Sequence, residues 1–100
     1  MTSTNKVILA GCGNMGRAML QGWLADGIVQ RHQVLVVEPV EALRQHAETL
    51  GVTTFVDAQQ LPEDLSPSLI VLAVKPQVMF DVTPAYEKFA SSDVVFVSVA

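Results

Sequence analysis

Apolar positions along this chain fall into two kinds of pattern. Continuous runs occur at Val7-Ile8-Leu9-Ala10, at Val34-Leu35-Val36-Val37 within 33–38 and at 69–74, with a shorter strand at 52–56 and a fifth run at 94–99 interrupted only by Ser98. Such runs, bounded by polar residues or glycine, are expected of strands buried on both faces. Between them the spacing turns helical. Met15, Ala18, Met19, Gly22 and Trp23 share a helical face that ends at Gly27, and Leu43, Ala47 and Leu50 share another that ends at Gly51, with Pro39 placed to open that second helix. Residues 57–68 carry two prolines and little periodicity, which predicts a loop with a short helix. After Lys75-Pro76, the residues Met79, Val82, Tyr86 and Phe89 lie on one helical face. Pro84 inside that run removes a backbone donor and should break it, with Thr83 placed to cap a second piece. Alternation of buried strands with helices predicts an α/β domain, an open parallel sheet with helices on both faces. Ala100 follows the fifth run directly, so no closing helix covers that strand, and the natural polypeptide is expected to continue beyond a sheet truncated after its fifth strand.

Composition narrows the function classes. One hundred residues at 50% hydrophobic and 16% charged can bury one core, so 1–100 is expected to be a single domain with no internal repeat. A net charge of −4 with six scattered Lys and Arg leaves no basic footprint, which argues against nucleic acid. The single cysteine excludes an internal disulfide and a cysteine-based zinc cluster, and it suits a reducing compartment, so the cytoplasm is the expected location. Residues 1–6 lack the apolar stretch of a secretory signal, and every apolar run is strand-length, too short to cross a bilayer.

The candidate chemistry sits in Gly11-Cys12-Gly13-Asn14-Met15-Gly16, between the first strand and the first helix. Glycine spacing of this kind is weak evidence alone, but its strand-turn-helix setting is the one a dinucleotide needs. Gly11 would permit the tight turn, Gly13 would let the backbone approach a pyrophosphate, and Gly16 would allow helix and strand to pack closely. The unpaired amides and positive dipole end of the helix would receive the phosphate charge. A Walker-type loop would need a Gly-Lys-Ser/Thr ending, which is missing; the bland alternative is a structural turn. Glu38 ends the second strand, where a carboxylate can accept hydrogen bonds from both ribose hydroxyls and repel a 2′-phosphate, which leans toward NADH over NADPH; alternatively it caps the helix beginning at Pro39. Ala73, Val74, Lys75 and Pro76 close the fourth strand and form a candidate wall of the crevice, although Lys75 could simply be solvated and Pro76 could simply start a helix. Cys12 has no neighbour to activate it and is expected to pack. Met15, Met19 and Trp23 are expected to face the core, with Met15 near enough to the turn to touch a ligand. His32 and His46 are expected at the surface, and no metal site is predicted.

Three stretches together, Gly11 to Gly16, Leu72-Ala73-Val74-Lys75-Pro76-Gln77 and Val97-Ser98-Val99-Ala100, resemble the N-terminal domain of pyrroline-5-carboxylate reductase, and the likeness runs through nearly the whole chain. That resemblance implies a Rossmann-type domain of an enzyme using NADPH or NADH to reduce the C=N bond of Δ1-pyrroline-5-carboxylate to L-proline, in proline biosynthesis. It implies that Gly11 to Gly16 hold the pyrophosphate and that Ala73 to Pro76 border the nicotinamide. It also implies a helical C-terminal domain that forms the homo-oligomer and supplies the residues around the imine; these would lie beyond residue 100, leaving the chain by itself inactive. Two departures stand out: Asp57-Ala58-Gln59 replaces a loop where the family often has Asn, and Glu38 stands where many relatives carry a small polar residue near a basic one. β-Hydroxyacid dehydrogenases, deazaflavin-linked NADP reductases and a non-catalytic nucleotide sensor are the alternatives. A methyltransferase would lack the third glycine at this spacing.

Overall fold

The computed structural model describes residues 6–90 and 94–99. Its centre is β1 (Lys6–Ala10), flanked on one side by β2 (Val34–Val37) and then β3 (Thr53–Phe55), and on the other by β4 (Pro67–Leu72) and then β5 (Val95–Ser98). All neighbours pair in parallel, in the order β3-β2-β1-β4-β5. Register is set by the apolar runs: Leu9 lies opposite Val36 and Val71, Ile8 opposite Leu35 and Ile70. Because successive side chains of a strand point to opposite faces, the sheet builds two cores. On one face Ile8, Ala10, Val37, Ile70 and Leu72 meet Ala58, Leu61, Tyr86 and Phe89. On the other, Leu9, Val34, Val36 and Val71 meet Cys12, Leu20, Ala47 and Val52. This Rossmann-type arrangement is the open parallel sheet expected from the pattern.

Helix α1 (Asn14–Ala25) follows the glycines and stops at Asp26 and Gly27, whose φ of 72° a side chain would disfavour. Its buried face differs from the expected one. Gly16 and Leu20 are buried and Met19, Trp23 and Leu24 half-buried, whereas Ala18 and Gly22 are exposed and Met15 is 44% exposed. The approach of Gly16 to the first turn sets the rotation of the helix, and the apolar positions alone do not encode it. Helix α2 (Glu41–Thr49) starts two residues after Pro39, because the Val40 N–H donates to the Glu38 carboxylate (2.9 Å) and holds Val40 in extended geometry outside the helix.

β4 ends at Leu72, so Ala73 to Lys75 form the connection to α3 (Pro76–Val82), where the pattern predicted strand through Val74. Pro84 breaks the helix as expected, and the chain continues as a 3₁₀ segment, Thr83–Phe89, that buries Tyr86 and Phe89. Thr83 does not cap this piece. Its hydroxyl donates back to the Met79 carbonyl at 2.8 Å, which closes α3 instead. A short 3₁₀ turn, Ala58–Gln60, occupies the loop after β3.

β5 departs most from expectation. It was predicted buried, yet Val95, Phe96 and Val97 are 57%, 40% and 38% exposed. Among the described residues the strand lies at the sheet edge, paired with β4, and burial on both faces needs covering elements that a run of valines cannot supply by itself. Ala100 and residues 1–5, on which the chain-end and leader expectations rest, lie outside the described residues. Among the described residues no helix is long and apolar enough to cross a membrane.

Candidate dinucleotide site

β1 lies where the strand order reverses, between β2 and β4, so the connections leaving the carboxyl ends of these strands diverge and open a crevice. Gly11 begins the first connection. Its N–H donates to the Val37 carbonyl (2.8 Å), its φ is 101°, and a Cβ there would collide with the Ala73 carbonyl. Only glycine meets both demands. Gly16, one turn into α1, presses against the Gly11 carbonyl so closely that a Cβ would overlap it, with the Ala73 methyl next to the same spot. Both roles assigned from spacing, the tight turn and the close packing, are present.

Gly13 is different. Its φ of −73° is ordinary, and a Cβ built on it would meet nothing within 4 Å. The space in front of this residue is open, at the N-terminus of α1. Gly13 accepts the first intrahelical bond, from Arg17 at 2.8 Å, so the N–H groups of Asn14, Met15 and Gly16 precede the helix ladder, and no acidic side chain occupies that first turn. Free amides, a positive dipole end and room for a bulky group are what a pyrophosphate requires. The turn fits the group.

Cys12 points away from this space. It is 1% exposed within the second core, and burial, helped by the charge of Glu38 and partly opposed by Arg17, pushes its thiol pKa up. The packing role holds. Its backbone does more: the Cys12 N–H donates to Glu38 Oε1 at 2.8 Å, while Oε2 accepts from Val40 N–H. The Glu38 N–H donates to the Phe55 carbonyl (2.9 Å), and its own carbonyl accepts from Arg44 Nη1 (3.0 Å). Glu38, 6% exposed, thus ties the glycine turn to β2, β3 and α2. Each carboxylate oxygen has a second lone pair, so this bracing leaves acceptors for a ribose hydroxyl.

A cleft of about 680 Å³ runs over this corner, lined by Gly11, Gly13, Glu38, Asp57, Lys75 and Tyr86 among others, with Ala73 and Val74 in its wall. The structure thereby brings together Gly11, Gly13, Glu38, Ala73, Val74 and Lys75. Asn14 and Met15 sit exposed at the start of α1, Cys12 and Gly16 lie beneath the surface, and Pro76 opens α3. Lys75 is exposed and forms no side-chain cap. Asp57, Tyr86 and Arg44 were not singled out as site residues. Asp57 Oδ1 accepts from the Gln59 N–H (2.9 Å), and the Tyr86 phenol is held protonated by burial, with the nearby Asp57 charge adding to the effect. In the sequence Asp57 stands out only as a departure from the family's Asn in that loop, and Tyr86 only as one member of an apolar stripe, a common pattern. His32 is exposed as expected. His46 is half-buried, with Nε2 buried and unpartnered among the described residues. Those residues contain no group of three metal-ligating side chains.

Known proteins share this architecture. Pyrroline-5-carboxylate reductase of Escherichia coli K12 is 33% identical over 99 residues, covering 95% of this chain and 35% of that protein. Pyrroline-5-carboxylate reductase 3 of Rattus norvegicus is 29% identical over 100 residues, covering 100% and 36%. The chain spans about a third of the length of these curated relatives, in their N-terminal domain. Among solved structures, a pyrroline-5-carboxylate reductase from Coxiella burnetii superposes with a TM-score of 0.79 at 26% identity, covering 96% of this chain and 36% of that one. Prephenate dehydrogenase from A. aeolicus, solved with hydroxyphenyl propionate and NAD+, gives a TM-score of 0.80 at 17% identity over 97% and 34%, which speaks for the fold alone. These likenesses bear out the resemblance drawn from the sequence. Residues 6–100 match the family model described as NADP oxidoreductase, coenzyme F420-dependent, and the chain belongs to that family of oxidoreductases.

Proposed function

We propose that this chain is the cofactor-binding domain of an NAD(P)H-dependent reductase acting on the C=N bond of Δ1-pyrroline-5-carboxylate to give L-proline. The observation that carries the proposal is the open space at Gly13, framed by free α1 amides and braced from below by Gly11 and Gly16. In this reading the amides of Asn14, Met15 and Gly16 hold the pyrophosphate, Glu38 accepts from the adenosine ribose, and Ala73, Val74, Lys75 and Pro76 border the nicotinamide. The bound dinucleotide supplies the hydride. The chain's residues bind and orient it and keep the cleft wall apolar, through Val37, Val74 and Val78. Residues around the imine, and the surface that makes the whole protein a homo-oligomer, belong to a domain beyond residue 100.

The supporting likeness to pyrroline-5-carboxylate reductases is stronger in sequence than any other reported above. The family description favours a second reading, a deazaflavin-linked NADP reductase. Calorimetric titration of the purified chain with NADH, NADPH, the deazaflavin F420 and S-adenosylmethionine separates these. The proposal expects dinucleotide binding, no response to F420 or S-adenosylmethionine, and no turnover of the imine by the chain alone. Turnover, or binding of S-adenosylmethionine alone, would overturn it.

A further inference from the structure

The adenosine end of the cleft has an unusual donor inventory. Pro39, directly after Glu38, has no N–H. The Val40 N–H is spent on Glu38 Oε2 (2.9 Å), the Glu38 N–H on the Phe55 carbonyl (2.9 Å), and the Val56 N–H on the Gln60 side-chain oxygen (2.8 Å). All of these residues except Phe55 and Gln60 line the cleft. Lys75 lines the cleft on the side of the fourth strand's end, and a second cation, Arg44, is half-buried and directs Nη1 onto two carbonyls, Glu38 at 3.0 Å and Pro39 at 2.8 Å. Two carboxylates stand in the same wall, Glu38 from β2 and Asp57 from the end of β3. A third, Glu41, occupies the first turn of α2 and offsets the positive end of that helix.

We infer that this corner selects a dinucleotide with a free 2′-hydroxyl over one with a 2′-phosphate, and that Asp57 is a specificity-determining residue acting with Glu38. The inference rests on the proposed placement of the dinucleotide and adds to it the identity of the cofactor. A hydroxyl donates its hydrogen and is satisfied by a carboxylate acceptor. A phosphate dianion needs donors, and here it meets a proline, the engaged amides of Glu38, Val40 and Val56, and two carboxylates that outnumber the one guanidinium of Arg44, whose Nη1 is already committed to two carbonyls. Asp57 is exposed, so its repulsion is long-ranged and screened by salt, whereas the buried Glu38 acts at contact range. Asp57 is also anchored: Oδ1 caps the 3₁₀ turn through the Gln59 N–H, which keeps the carboxylate on the cleft wall.

The test is a pair of dissociation constants, NADH and NADPH, measured by calorimetry on the intact chain and on Asp57→Asn at 20 mM and 500 mM salt. Asn retains the carbonyl acceptor for the Gln59 N–H, so the turn keeps its cap. Wild type is expected to bind NADH at least fivefold more tightly than NADPH at low salt, with a narrower ratio at high salt. Asp57→Asn should tighten NADPH at least threefold and leave NADH within twofold. A wild-type ratio below fivefold, or a ratio that Asp57→Asn does not move, overturns the selectivity while leaving the dinucleotide site standing. Failure of both nucleotides to bind overturns the parent reading and this inference together. Binding of both that is indifferent to replacement of Gly13 by Leu places them elsewhere and does the same.

Discussion

Replacing Glu38 by glutamine changes one oxygen to an amide nitrogen at the point where four segments meet. The carboxylate is 6% exposed and accepts from Cys12 N–H at 2.8 Å, a buried bond that water cannot replace, and from Val40 N–H at 2.9 Å, a part-buried one. Glutamine offers one carbonyl oxygen. Whichever way the amide turns, its NH2 faces a backbone donor, so one bond is lost and one N–H, buried at Cys12 or part-buried at Val40, is orphaned. A hydrogen bond to a charged acceptor contributes about 1.5–3 kcal/mol, and a buried donor without a partner costs about 1–3 kcal/mol. Part of the two overlaps, because the orphaned N–H is the partner of the lost bond, so the expected destabilisation is about 2–3 kcal/mol. For a domain of this size each kcal/mol corresponds to roughly 4–8 °C, so Tm should fall by about 8–24 °C. Urea unfolding followed by Trp23 fluorescence and by circular dichroism measures the free energy, and coincident transitions would establish the two-state treatment. Dinucleotide affinity should fall as well, since the turn loses its brace. A variant within about 0.5 kcal/mol of wild type would refute the reasoning that this carboxylate holds the glycine turn in place.

Other expectations follow from the same contacts. Gly16→Ala pushes a methyl into the Gly11 carbonyl, and although Ala is the better helix former by about 1 kcal/mol, the variant should be less stable by about 1–3 kcal/mol and lose nucleotide binding; urea unfolding and calorimetry report the two effects. Cys12, buried and with its thiol pKa raised, should react with a thiol reagent at pH 8 far more slowly in the native chain than in urea; equal rates would contradict its burial. Tyr86 is held in its protonated form by the fold, so above the ordinary phenol pKa of about 10 the unfolded chain loses a proton that the folded chain keeps. Its contribution is therefore complete below that pH and declines as pH rises beyond it; Tyr86→Phe should flatten this decline in pH-dependent urea unfolding.

Much of the fold was legible because a parallel sheet buried on both faces requires continuous apolar runs, and β1, β2 and β4 carry them. The central glycines were legible for a related reason: Gly11 and Gly16 are positions where a Cβ would strike backbone, so their spacing reflects packing as well as ligand. Failures have one physical source, since each concerns what a residue meets across the fold. The runs at 94–99 looked like those of a central strand, but their burial depends on a covering layer, and β5 sits at the edge. The start of α2 was misplaced because the Glu38 carboxylate, a tertiary acceptor, claims the Val40 amide before the helix can. For Glu38 the two sequence readings, ribose acceptor and cap, left out the partner that matters most in the structure, Cys12 N–H, 26 residues earlier in the chain. His46 was read as surface, whereas it is half-buried, because helical spacing alone does not say how deeply a flanking position of the helix sinks.

The amide chemical shifts of the glycine turn offer the most direct test of the claim that backbone N–H groups at the start of α1 cradle a pyrophosphate. In ¹⁵N-labelled chain titrated with NADH, the amides of Gly13, Asn14, Met15 and Gly16 should show the largest perturbations, with those of Glu38 and Asp57 next. Saturable binding that leaves the four turn amides unmoved while other residues shift would contradict the account.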